Sequence, residues 1–440
     1  MVRRIIILGA AGRDFHNFLT FYRGNPNYEV VAFTCTQIPG IGHRLFPPEL
    51  AGPRYPKGIP IHLESELERL VKQLKPDEAV LAYSDLSHEQ VGHMAARCLA
   101  LGLDFTMLGP NATMLRPRKP VVSVCAVRTG SGKSTVAQAV AALAHKAGLK
   151  PVVIRHPMPY GDLAKSALQR FATLKDLDRA KITMEEREEY EPHITAGNIV
   201  YAGVDYARIL HKAESEANLI IWDGGNNDLP FIKPDLHIVL ADGLRPGAEL
   251  GAYPGEANVR LADIIAITKA DVAKPADIAL IRKNVKMLNP RAKVVQLYAE
   301  FGVDKPKLVK GKRVLVVEDA PTITHGGLPS AAGLSATLAS GGRPVGPRPY
   351  AKGTVRRILA QFPHIKVALP ALGYTAVELR DLERSINATP ADVVVAGSGV
   401  AIERLMKLNK PVAHVQLKIR EQGEPSFTKL IKDWLSTISK

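Results

Sequence analysis

The run Arg128-Thr-Gly-Ser-Gly-Lys-Ser-Thr135 holds the residues best suited to phosphoryl chemistry. It follows an apolar stretch, Val121–Val127, and precedes one whose Val136, Val140, Leu143 and Ala147 share a helical face before Gly148. A strand entering a glycine-rich loop that opens a helix points successive backbone N–H groups at phosphate oxygens. Thr129, Gly130, Ser131, Gly132, Lys133, Ser134 and Thr135 are therefore expected to cradle a nucleoside triphosphate. Lys133 would reach the outer phosphates and the Ser134 hydroxyl would bind Mg²⁺. Val127 stands where the full pattern has glycine, but the flanking strand and helix support the reading.

Two later segments complete a nucleotide site. In Asn218-Leu-Ile-Ile-Trp-Asp223-Gly-Gly-Asn-Asn-Asp228 a buried strand ends in Asp223, placed to hold the Mg²⁺ beside Ser134. In Ile264-Ile-Ala-Ile-Thr268-Lys269-Ala-Asp271 the strand is followed by a purine-reading pattern. There the Asp271 carboxylate would accept the N1 and N2 hydrogens of guanine and the Lys269 stem would cover the ring. Such residues are also ordinary loop formers, and no third guanine element follows, so ATP and GTP both stay open. Arg155 and His156 end another apolar run and are expected near the transferred phosphate, Arg155 as a catalytic group. Arg128 and Arg245 are further candidates to clamp an anionic substrate bidentately. Val314-Leu-Val-Val-Glu318-Asp319-Ala-Pro-Thr-Ile-Thr-His325 brings two carboxylates and a histidine to a strand end, where substrate-binding groups could converge. The charged run Thr183–His193 reads instead as a solvated helix.

These residues need a scaffold, and the chain supplies strand–helix alternation throughout its 440 residues. The pattern predicts an α/β protein: a P-loop NTPase domain with a mainly parallel sheet, flanked by an N-terminal Rossmann-like domain and a small C-terminal α/β unit. The expected divisions are 1–118, 119–342 and 343–440, with Arg116-Pro-Arg-Lys-Pro120 and the glycine- and proline-rich 339–349 as linkers. Expected strands of the first unit are Ile5–Leu8, Val30–Phe33, Ala79–Ala82 and Phe105–Leu108. Glycines 9 and 12 follow its first strand, but the spacing is not that of a dinucleotide fingerprint and no acidic residue ends the second strand. A nicotinamide cofactor is not expected; the glycines serve another ligand or close packing.

Composition narrows the function further. Apolar residues at 46% and charged ones at 23% are globular values, and no apolar run is long enough to span a bilayer. Three cysteines, none in a CxxC pair, speak against a disulfide framework or structural zinc and fit a reducing cytoplasm. The net charge of +15 suits a polyanionic small substrate, while its scattered distribution, without a recognition motif, argues against nucleic acid. A homo-oligomer is compatible with all of this.

Taken together, the phosphate loop, the Asp223-Gly-Gly-Asn-Asn segment and Val317-Glu-Asp-Ala-Pro-Thr-Ile-Thr-His-Gly-Gly327 resemble the cyclic 2,3-diphosphoglycerate synthetase family and related P-loop GTPases. The resemblance covers most of the chain. It implies an NTP-dependent synthetase that closes an intramolecular phosphoanhydride in 2,3-diphosphoglycerate, with Mg²⁺ and ATP or GTP. The competing expectation is a regulatory or chaperone GTPase acting on a protein partner, which the Thr268–Asp271 pattern favours.

Overall fold

The structure is a computed structural model. It describes the chain except residues 1, 11, 37–42, 157–160, 226, 325–329, 373–374 and 439–440, and only the backbone at 184, 185, 319, 321 and 322. Chain contacts gather into two compact units, one formed by 1–170, 198–298 and 421–440, the other by 171–197 and 299–420.

The first unit contains two large, mainly parallel sheets; the N-terminal one ends in a short antiparallel edge strand, Leu45–Phe46. Strands β1 (Arg3–Leu8), β2 (Tyr28–Cys35), β3 (Ile59–Leu63), β4 (Glu78–Leu81) and β5 (Asp104–Met107) lie in the order β3-β2-β1-β4-β5, a Rossmann-like arrangement. The other sheet holds β6 (Val121–Ala126), β7 (Pro151–Arg155), β8 (Ile199–Ala202), β9 (Leu219–Asp223), β10 (Leu236–Asp242), β11 (Ile264–Thr268) and β12 (Lys293–Val303). Their order is β8-β7-β9-β6-β10-β11-β12, and every pairing is parallel. Helices cover such sheets on both faces, which is why the central strands β6, β9 and β11 are apolar almost without interruption and fully buried. Helix α1 (Lys133–Lys146) follows β6 and packs Val136, Ala137, Val140 and Ala144 inward. All three cysteines are buried and free. No helix among the described residues is long and apolar enough to cross a membrane.

The second unit is built around β13 (Arg313–Asp319), which pairs in parallel with β14 (Ala368–Ala371) on one side and β15 (Val393–Ala396) on the other. Its core gathers Val314–Val317, Leu369, Leu382 and Val393–Val395. The helix Met184–Thr195 belongs to this unit and differs from the solvated helix expected of its charges. Arg187, Glu191 and His193 are buried, Arg187 pairing with Asp178 and with Glu191 at 3.4 Å. A second Glu191 oxygen accepts the Ala401 N–H at 3.0 Å. Each charge is met by an opposite charge or a backbone group, which is what allows burial.

Glu318, at the end of β13, is likewise wholly buried. Its carboxylate accepts the N–H groups of Ala331, Gly333 and Leu334, each at 2.9 Å, at the start of the helix Ala332–Ala339. These are the contacts of a helix cap: a negative charge on otherwise unpaired N–H groups at the positive end of the helix. Glu318→Gln is expected to lower the stability of this unit by about 2–3 kcal/mol, because an amide cannot satisfy the same three donors. The shift in denaturation midpoint measures it; an unchanged midpoint would deny the cap its role.

Candidate functional site

The phosphate loop sits at the carboxyl end of β6, in the middle of its sheet. Gly132 precedes α1 with φ +90°, a backbone conformation that side chains disfavour, and this turns the loop into the helix. Ser131 closes the loop locally, its hydroxyl donating to Arg128 O at 2.7 Å. Lys133, the first residue of α1, donates from Nζ to Asn227 Oδ1 at 2.6 Å. Asn227 Nδ2 in turn donates to Thr129 Oγ1 at 2.8 Å. The asparagine therefore ties the lysine to the other arm of the loop. Burial pushes the Lys133 ammonium down to about 8, with Asp223 pulling the other way.

Asp223 ends β9, beside β6, so the carboxylate arrives next to the phosphate loop. It is wholly buried, and Arg155 Nη1 lies 2.6 Å from its Oδ2. The same guanidinium nitrogen is 3.3 Å from Ser134 Oγ and 3.3 Å from Asp223 O. Arg155 comes from the end of β7, on the far side of β9. A cation thus sits between the two oxygens expected to bind metal. The hard oxygen donors Ser134 and Asp223 fit Mg²⁺, and the structure already holds them around a positive charge.

The remaining candidates separate. Arg245 pairs with Asp242 at 2.8 Å and donates to Thr129 O at 2.5 Å, bracing the phosphate loop. Lys269 reaches the same Asp242 oxygen at 2.7 Å. Thr268 closes β11, two strands from β6, and Lys269 and the exposed Asp271 follow it. Arg128 pairs with Asp85 of the N-terminal domain at 3.0 Å. All four arginines and lysines near the loop that were expected to meet a substrate or base thus face a carboxylate. Glu318 lies in the second unit as a helix cap, Asp319 has only its backbone described, and His325 lies outside the described residues.

Four residues to which the sequence reading gives no individual role stand beside the site. Arg13 Nε donates to Asp228 Oδ1 at 2.9 Å, and both side chains are buried. Arg13 also lies 4.4 Å over the Phe231 ring. Asn258 holds the segment after β9 from below, Nδ2 donating to Asn227 O at 3.2 Å and Asp228 O at 3.3 Å. Asn227 and Asp228 fall in the polar run after β9, where a hydrophilic stretch directly behind a buried strand was the available signal. His156 packs against Gly12, where a Cβ would come within 2.1 Å of the ring; the second glycine of the N-terminal turn therefore makes room for a side chain.

Residues 194–297 match the sequence model of the cyclic 2,3-diphosphoglycerate synthetase P-loop domain. Arginine synthetase ArcE of Thermococcus kodakarensis is 52% identical over 439 residues, covering 100% of this chain and 98% of that protein. The chain belongs to the cyclic 2,3-diphosphoglycerate synthetase family. It shares that family of P-loop synthetases with ArcE, and is itself an NTP-dependent enzyme. The cyclic 2,3-diphosphoglycerate synthetase of Thermococcus kodakarensis is 26% identical over 260 residues, 52% of this chain and 56% of that family member. Among solved structures, LpxK from Aquifex aeolicus, in complex with ATP, aligns with a TM-score of 0.46 and 14% identity over 80% of this chain and 96% of that one.

Proposed function

We propose that this family member is an arginine synthetase, using a nucleoside triphosphate to build a guanidino group. One observation carries the reading: identity of 52% to ArcE along the whole chain, against 26% over about half of it to a cyclic 2,3-diphosphoglycerate synthetase. The chemistry suits the site. A guanidino carbon differs from a ureido carbon by nitrogen in place of oxygen, and that oxygen leaves only once activated. The γ-phosphoryl group passes to the ureido oxygen, releasing nucleoside diphosphate. Ammonia then attacks the carbon and inorganic phosphate departs with the oxygen.

In this scheme the loop 129–135 holds the triphosphate, and Lys133 neutralises the charge that builds during transfer. Ser134 and Asp223 would hold Mg²⁺, which supplies charge neutralisation at the outer phosphates. Arg155, displaced from between them, is within reach of the transferred group. Such a transition state needs positioning and countercharge more than covalent help. The test incubates the protein with Mg²⁺, ATP or GTP, and either citrulline (the ureido analogue of arginine) with ammonium or 2,3-diphosphoglycerate. Arginine formation with stoichiometric nucleotide cleavage supports the reading. A cyclic phosphoanhydride seen by phosphorus NMR, with no arginine, would replace it by the reaction that names the family.

The base site is a separate question. If Asp271 reads guanine, Asp271→Asn should weaken GTP binding by at least about 1–3 kcal/mol and turn preference toward xanthosine triphosphate, whose C2 carbonyl accepts where guanine donates. The residue is exposed, so the substitution leaves the fold alone. Competition titration reads the preference, and an unchanged ranking makes Thr268–Asp271 an ordinary strand-end loop.

A further inference from the structure

At the carboxyl edge of the N-terminal sheet, inside the first unit, lies a cavity of about 120 Å³. That is several times the roughly 30 Å³ share of one water molecule. Its walls include Asp14 and Ala82 from the N-terminal domain, and His156 and Asp228 from the phosphate-loop domain. Strand ends are where open α/β sheets bind ligands. The cavity also adjoins the nucleotide site through the chain itself: Asp228 follows Asn227, which Lys133 binds, and His156 follows Arg155, which faces Ser134 and Asp223.

The charge of this cavity discriminates between substrates. Asp14 Oδ1 accepts the N–H groups of Gly12 and Phe15 at 3.0 and 2.7 Å, a turn that fixes its carboxylate in the wall. Asp228 Oδ1 accepts from Arg13 Nε and from Leu229 N at 2.9 and 3.0 Å. Its Oδ2 is buried and has no hydrogen-bond partner among the described residues. Arg13 spends further donors on Leu229 O and on Thr113 Oγ1. A buried carboxylate oxygen without a donor is costly, and a ligand that brings N–H groups removes that cost. A bisphosphate would instead meet Asp14 and a single cation, Arg13, which also lines the cavity and is already paired with Asp228.

We propose that this cavity is the acceptor-substrate site, and that Asp228 Oδ2 receives the N–H groups of a ureido or guanidino end. The inference rests on the arginine-synthetase reading and adds to it a location and a recognition element. Burial pushes the Asp228 carboxyl upward and Arg13 draws it back, so the N–H groups of a cationic or neutral planar ligand also favour its ionised form.

The test measures arginine affinity calorimetrically in the full chain, for the unmodified protein, Asp228→Asn and Ala82→Leu. The second variant fills the cavity and keeps every charge. Both are expected to weaken arginine at least tenfold, with nucleotide affinity held within twofold. On the unmodified protein, arginine is expected to slow alkylation of Cys35, which lines the cavity, and to leave Cys98 of the same domain unaffected. This readout stands even if a variant fails to fold. If the unmodified protein makes arginine while both variants bind it normally and Cys35 stays unprotected, the cavity assignment is overturned and the arginine reading survives. If the protein neither binds nor turns over arginine, both are overturned. If 2,3-diphosphoglycerate binds and both variants lose it, the cavity is a substrate site of opposite charge preference, and the proposal fails.

Discussion

Lys133→Ala is expected to lower nucleotide turnover by about a thousandfold or more while the protein remains folded. The lysine supplies a charge at the outer phosphates that water cannot replace in a closed site, worth several kcal/mol of transition-state stabilisation. Its partner in the structure, Asn227, is neutral, so removing the amine strands no buried charge there. The loss should therefore show in the rate and not in the melting temperature. Near-normal hydrolysis by a folded variant would remove the phosphate-loop assignment. The lowered pKa of about 8 adds a sign that can be checked. Above pH 8 the free enzyme carries mostly neutral amine, whereas bound phosphates restore the ammonium. Nucleotide binding near pH 9 should take up a proton, and the uptake should fall away toward pH 7. Titration calorimetry in two buffers of different ionisation enthalpy reads it; Lys133→Ala should abolish it.

Arg155→Met is expected to have two effects that separate on adding ligand. Arg155 and Asp223 form a buried pair, and breaking such a pair from one side costs about 3–5 kcal/mol because the other charge is left uncompensated. The unliganded variant should therefore lose that stability. Mg²⁺ with nucleotide should recover a large part of it, because the metal supplies the positive charge that Asp223 and Ser134 now receive from the guanidinium. Turnover should stay low even with the fold rescued, because the arginine is also a counter-charge for transfer. Denaturation curves with and without ligand measure the first effect, and saturating kinetics the second. Unchanged stability without ligand would show that the pair contributes nothing.

The parts of this protein that were legible in its sequence are those specified locally. The phosphate loop is continuous, with a strand before it and a helical stripe after it, so its type and place could be read directly. The same holds for β9 ending in Asp223, where four apolar residues announce a buried strand. What escaped depends on partners far apart in the chain. Arg13 and Asp228 are separated by 215 positions, and neither residue alone distinguishes a buried ion pair from a turn. Arg155, expected near the transferred phosphate, is held by a carboxylate 68 positions away, a partner that the local sequence does not announce. The helix Met184–Thr195 misled for the same reason. Its sequence is dense in charge and lacks an apolar stripe, and only the fold provides Asp178 and the Ala401 N–H to satisfy Arg187 and Glu191.

The first unit is assembled from three separated stretches, and the last of them, 421–440, returns to it from more than a hundred residues away. Its helix Phe427–Ile438 lies against α1, the helix that the phosphate loop opens. During synthesis, therefore, the loop residues leave the ribosome long before their final support exists. The N-terminal sheet has all its strands by residue 107, but the nucleotide-binding half must wait while the second unit is made. Closing contacts over such separations is slow and leaves apolar strands uncovered in the interval. The order of synthesis thus separates the making of the phosphate loop from the making of the helix that packs behind it.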